Sequence, residues 1–180
     1  VDIQATVPTG PAPAAQGSLY RRTFVGREAE LQQLHTAFDN AMSGQGSLMM
    51  VVGEPGIGKT SICEQAATYA ALRGGKALVS HCYEEGSLSL PYLAFVEALR
   101  SYVLERDTDA LRDELGSGAA DVARIVSEIR ERADVEPSAP VEPEEDRYRL
   151  LQAVSSFLRN ASDVQPLLIV LEDLHDADRG

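Results

Sequence analysis

The chain is 180 residues long with a formal net charge of −12, and an acidic balance of that size excludes a nucleic-acid grip built from clustered Lys and Arg. A hydrophobic fraction of 44% beside 24% charged residues is ordinary globular usage, enough for one domain with a real core. No stretch approaches the roughly 18 apolar residues of a membrane span, and the N-terminus lacks a basic-then-apolar leader. The expectation is a cytoplasmic module that touches neither membrane nor nucleic acid directly.

Residues 1–20 carry Pro8, Pro11 and Pro13 with Gly10 and Gly17 among small residues, and read as a flexible linker. Together with the absence of an initial Met, this suggests a piece of a longer polypeptide. From Arg27 to Ser43, Leu31, Leu34, Phe38, Ala41 and Met42 recur at helical spacing, with Gly44 placed to end the helix. That stripe is expected to face the core.

Leu48 to Val52 is a short unbroken apolar run, the pattern of a strand buried on both faces. Gly53-Glu54-Pro55-Gly56-Ile57-Gly58-Lys59-Thr60-Ser61 follows, and it fits the phosphate-loop pattern of two Gly, a Lys and a hydroxyl at fixed spacing. The glycines allow successive backbone N–H groups to face one concavity at the positive end of the next helix. Lys59 is expected to reach the β- and γ-phosphates, and the Thr60 hydroxyl to ligate Mg²⁺. A helix from Ser61 to Arg73 should stop at Gly74-Gly75.

Lys76 to His81 reads as a second buried strand and Pro91 to Glu105 as a helix. Cys63 and Cys82 form no recognisable framework and are expected as free thiols, while His81 beside Cys82 lacks the further ligands a metal site needs. Val122, Ile125, Val126 and Ile129 mark another amphipathic helix, and residues 133–146, acidic and rich in Pro, read as a mobile loop. Tyr148, Leu151, Val154 and Leu158 give a final helix. It leads to Leu167–Leu171, a buried strand that ends in Glu172-Asp173. Acids at the end of a parallel strand lie on the rim where ligands bind, and magnesium on a triphosphate needs an acidic partner there. Adjacent residues of a strand point oppositely, so one acid is expected to hold Mg²⁺ through water and the other to polarise the attacking water.

Phe24-Val25-Gly26-Arg27-Glu28, the loop at Gly53 to Thr60, Leu90 to Leu99, Arg147 to Leu151, and Val170 to Asp178 together resemble the ATPase module of bacterial AAA-like signalling ATPases. In such multidomain regulators the module precedes helical repeats and a helix-turn-helix, or follows a cyclase or kinase domain. The resemblance runs from about Phe24 to Gly180 and implies a P-loop NTPase, a three-layer α/β sandwich with a mostly parallel sheet. It implies ATP or ADP with Mg²⁺, held between Val25-Gly26-Arg27 near the adenine and residues 53–61. It implies Glu172 as the magnesium-linked acid and Asp173 as the water-activating acid, with Lys59 on the phosphates. Glu172 stands where Asp is commoner in the family, and Asp176 where Trp is frequent.

The family's strand order, 5-1-4-3-2, separates the loop-bearing strand from the acidic strand by a fourth strand later in sequence. On that order residues 21–180 are the N-terminal part of the domain and the sheet is incomplete, its further strands lying beyond Gly180. An isolated monomer ending at Gly180 is then not expected to be a stable native fold. Three readings of function stand at this point. One is a slow ATP-hydrolysing switch that sets the arrangement of flanking domains. Another is an ATPase doing mechanical or loading work, and the last is a P-loop kinase. Homo-oligomerisation stays open with them.

Overall fold

A computed structural model describes residues 26–82 and 92–174. Val25, the segment from Tyr83 to Pro91 and the stretch from His175 to Gly180 lie outside the described residues. Two parallel strands, β1 (Lys76–His81) and β2 (Leu167–Glu172), form the sheet, in register from Lys76 opposite Leu167 to His81 opposite Glu172. The ladder is extended at both ends, by Lys76 N–H to the Pro166 carbonyl at 2.8 Å and Cys82 N–H to the Glu172 carbonyl at 2.9 Å. Both strands match their apolar runs almost residue for residue. Adjacency of these two strands is what the expected order requires of its second and third members.

Alternation along the strands divides the sheet into two faces. Leu78, with its register partner Ile169 and with Leu167 on the same face, packs into a core that includes Leu99 and Val103 of α3 (Leu93–Glu105). Ser80, on that same face, donates its hydroxyl to Glu97 at 3.2 Å. The opposite face carries His81 and Glu172 and is met by α2 (Lys59–Leu72), whose Ile62, Ala66 and Ala70 are buried. Helices therefore cover both faces, as a three-layer sandwich requires.

Outside this layer, α1 (Glu28–Met42) packs on α2. Phe38 is its buried anchor; Leu31, Leu34 and Ala41 are half-buried, and Met42 is exposed, so the predicted stripe is narrower than expected. The α1–α2 contact is partly polar. His35 stacks on Tyr69 at 3.7 Å between ring centroids, and the Tyr69 hydroxyl donates to the Asp39 carboxylate at 2.9 Å while Arg73 pairs with it at 3.2 Å. Gly75 follows where the chain turns into β1, and a Cβ there would fall 2.3 Å from Phe38 and 3.0 Å from the Pro166 carbonyl oxygen. Only glycine admits that approach.

The largest apolar centre lies among helices rather than under the loop. Leu111 and Leu115 of α4 (Thr108–Leu115), Val122 of α5 (Ala119–Val122), Ile129 of α6 (Glu128–Ala133) and Phe157 of α7 (Pro143–Val164) are all buried there. A 3₁₀ turn over Gly116–Gly118 links α4 to α5. Asp107 caps α4 by accepting from the Asp109 and Ala110 N–H groups, and these backbone donors hold its carboxyl below the usual carboxylate range. Buried Glu114 accepts from the Tyr102 hydroxyl at 2.9 Å and from Arg106 Nε at 2.7 Å. Burial, followed by that hydrogen bond, pushes the Tyr102 phenol up to about 12.

Three expectations are corrected. Leu48–Val52 is not a strand: no ladder joins it to β1 or β2 among the described residues, and Leu48 and Val52 are 87% and 83% exposed. A strand exists only where a neighbour pairs with it, and this run has none here. The helix expected across Val122 to Ile129 is broken by a turn at 123–127 between α5 and α6. The loop expected over 133–146 is shorter, because Ala133 closes α6 and Pro143 opens α7 as a first-turn proline. The connection is also anchored. The Ser138 N–H meets the Ala120 carbonyl at 2.9 Å, the Ser138 hydroxyl meets Asp121, and Arg124 forks onto Asp146 with contacts of 2.6 and 2.5 Å.

Candidate functional site

Gly58 has φ +96° and forms the N-cap of α2, so the helix starts at Lys59, two residues earlier than the pattern suggested. A left-handed N-cap turns the chain sharply and leaves the first N–H groups of α2 without intrahelical acceptors, which suits an anion. Residues 53–57 are exposed, with Ile57 N–H reaching back to the Glu54 carbonyl at 3.4 Å. Lys59 Nζ folds over the loop, donating to the carbonyls of Gly53 at 3.0 Å and Glu54 at 3.2 Å. The ammonium thus stands over the loop's own concavity.

Thr60 Oγ1 lies 3.4 Å from Glu172 Oε2, which brings the first turn of α2 to the end of β2. The same oxygen lies 3.2 Å from His81 Nε2 on the neighbouring strand. Glu172 is 10% exposed at its side chain, whereas His81 is 48% exposed, so the carboxylate sits at the bottom of the rim and the imidazole at its edge. Cys63, in the second turn of α2, senses the same carboxylate. Its thiol is raised by burial first and then by the negative charge of Glu172 and of Glu64. Cys63 and Cys82 are both free thiols.

The two acids are separated by the backbone. Glu172 is the last residue of β2, while Asp173 has φ +57° and is exposed, where the chain leaves the strand. Asp tolerates the left-handed region better than most residues, because its short side chain bonds locally. Gly26 and Arg27, expected near an adenine, hydrogen-bond to α1: the Gly26 N–H to Glu28 at 3.4 Å and the Arg27 carbonyl from the Leu31 N–H at 3.0 Å. No hydrogen bond links that segment to residues 53–61 among the described residues, and Ser61, half-buried, continues α2. Lys59, Thr60 and Glu172 are therefore brought together, Asp173 stands beside them, and Gly26-Arg27 is not joined to the loop.

His81 is the residue that sequence reasoning passed over. In sequence, His81 beside Cys82 suggests at most a metal ligand without its partners, and among the described residues no group of three or more His, Cys, Asp and Glu could hold a metal ion. Its position at the end of one strand, level with the acid at the end of the next, was the available signal.

A family model described as an AAA ATPase domain matches residues 23–180. No curated protein and no solved structure matches the chain. No helix among the described residues is long and apolar enough to cross a membrane.

Proposed function

The chain belongs to the AAA ATPase domain family, and we propose that it binds ATP or ADP with Mg²⁺ at residues 53–61 and acts as a slow ATP-hydrolysing switch in a larger multidomain signalling or transcriptional regulator. The observation that carries the reading is the convergence of Thr60 and Glu172 at the N-terminus of α2, with Lys59 over the loop. A hydroxyl and one carboxylate are a sparse oxygen set. Sparse sets suit Mg²⁺, which keeps several waters and takes its remaining ligands from substrate phosphates.

In this reading the N–H groups of the loop and of the first turn of α2 cradle the phosphates. Lys59 exchanges its contacts with the Gly53 and Glu54 carbonyls for phosphate oxygens. Thr60 and Glu172 hold the cation, which when bound neutralises charge on the β- and γ-phosphates. Asp173, at the left-handed turn after β2, orients the attacking water and accepts its proton as the bond to the γ-phosphorus forms and the bridging P–O bond breaks. Val25, Gly26 and Arg27 flank the base. Exchange of ATP for ADP changes the charge the loop must hold, and a difference of that kind can bias the arrangement of neighbouring domains or of subunits in a homo-oligomer.

Titration of the full-length protein with Mg-ATP tests the assignment. Lys59→Ala should lose about ten- to a hundredfold in affinity, since hydrogen bonds to charged groups are worth roughly 1.5–3 kcal/mol. Unchanged affinity would remove residues 53–61 from the nucleotide site.

A further inference from the structure

We propose that His81 is a positioning residue for the cation site, its imidazole holding the Glu172 carboxylate in place beside Thr60 by a close polar contact from the adjacent strand. The inference rests on the nucleotide reading above and extends it to a side chain that reading does not use. Glutamate carries one more rotatable bond than aspartate, so a carboxylate on its end is harder to hold at a fixed point. Thr60 alone is a weak tether, because 3.4 Å is long for a hydroxyl donor.

The sheet supplies the second tether. His81 and Glu172 are register partners, so their side chains leave the same face of adjacent parallel strands. His81 Nε2 lies 3.2 Å from Oε2, the oxygen that also faces Thr60. Polar contacts from two different elements thus converge on one oxygen, which narrows the positions open to the carboxylate. A ligating carboxylate oriented by an outer hydrogen bond is a general way in which proteins tune a metal site. The ring is half-exposed at the strand end, so its removal should disturb the cation site far more than the core.

The test uses the full-length protein and measures nucleotide affinity as a function of Mg²⁺, including an arm in EDTA. His81→Ala should raise the Mg²⁺ concentration needed for half of the affinity gain by about tenfold, the scale of one polar contact to a charged group, and leave metal-free affinity and the melting temperature unchanged. His81→Gln, which restores an N–H donor, should recover most of the loss. In a Glu172→Asp background, His81→Ala should add nothing, because the shorter carboxylate no longer reaches the imidazole. Wild-type Mg²⁺ dependence in His81→Ala, an undiminished effect in the Glu172→Asp background, or an equal loss in EDTA would each overturn the role of His81 while leaving the phosphate loop standing. Absence of nucleotide binding by the wild-type protein would overturn both.

Discussion

Thr60 Oγ1 and Glu172 Oε2 face each other at 3.4 Å across 112 positions of sequence. Glu172→Gln keeps the shape and an acceptor oxygen but removes the negative charge. The expected outcome is a higher Mg²⁺ requirement for ATP binding with little change in metal-free affinity, read by titration at stepped Mg²⁺ concentrations. Equal loss with and without Mg²⁺ would mean that Glu172 serves the fold and not the cation.

Asp173 offers a test that separates backbone from chemistry. Asn also tolerates a φ of +57°, so Asp173→Asn should preserve stability and Mg-ATP binding while phosphate release falls by about 10²- to 10⁴-fold. Asp173→Val should add a stability loss of roughly 1–2 kcal/mol, because a β-branched residue is strained in the left-handed region. Denaturant melts of both variants, set beside a phosphate-release assay, distinguish the two effects.

The Glu114 network should dominate the stability of the helical part. Glu114→Ala leaves Arg106 and the Tyr102 hydroxyl without their acceptor and should cost about 3–5 kcal/mol. Tyr102→Phe removes one donor and should cost about 1–3 kcal/mol, since an accepting lone pair of Glu114 is left buried. Urea unfolding midpoints order the two variants, and a Tyr102→Phe loss as large as that of Glu114→Ala would contradict the network.

Acid should weaken the fold through two carboxylates in particular. Asp146 is held below the usual carboxylate range by the Arg124 guanidinium, and Asp107 by the N–H groups of Ala110 and Asp109. A depressed folded-state pKa contributes stability that is present above the unfolded value of about 3.9 and is lost as pH falls through the folded one. Unfolding midpoints should therefore be insensitive to these groups near neutrality and decline below about pH 4. In Asp107→Asn/Asp146→Asn that decline should be shallower, while the midpoint at neutral pH should be lower than in the wild-type protein.

Legibility followed pairing and periodicity. β2 was readable as a short apolar run after Pro166, β1 from its Ala77-Leu78-Val79 centre just after Gly74-Gly75, and α2 between the phosphate-loop pattern and those same glycines. Leu48–Val52 has the same apolar signature as β2, yet strand formation depends on a neighbour that composition cannot supply. In α7 the buried line is Ala153, Phe157 and Ala161, whereas Tyr148 and Leu151 from the predicted stripe are exposed. Small residues mark a close helix contact but carry little weight in an apolar count. The tethers of the 134–142 connection are pairs such as Ser138 with Asp121, and no local pattern announces them. Of the candidate site, the loop and both acids were legible, and the meeting of Thr60 with Glu172 followed from the topology. His81 was not, because its role depends on strand register.

The apolar centre lies among α3 to α7, and the phosphate loop sits away from it, with residues 53–57 in solvent. Amide hydrogens in the loop should therefore exchange through local opening, within seconds, while those of buried Leu111, Val122 and Phe157 wait for global unfolding. Nucleotide would then slow exchange in the loop first, and protease nicking between Gly46 and Gly58 would report occupancy locally, while the rise in melting point would follow the binding free energy as a whole.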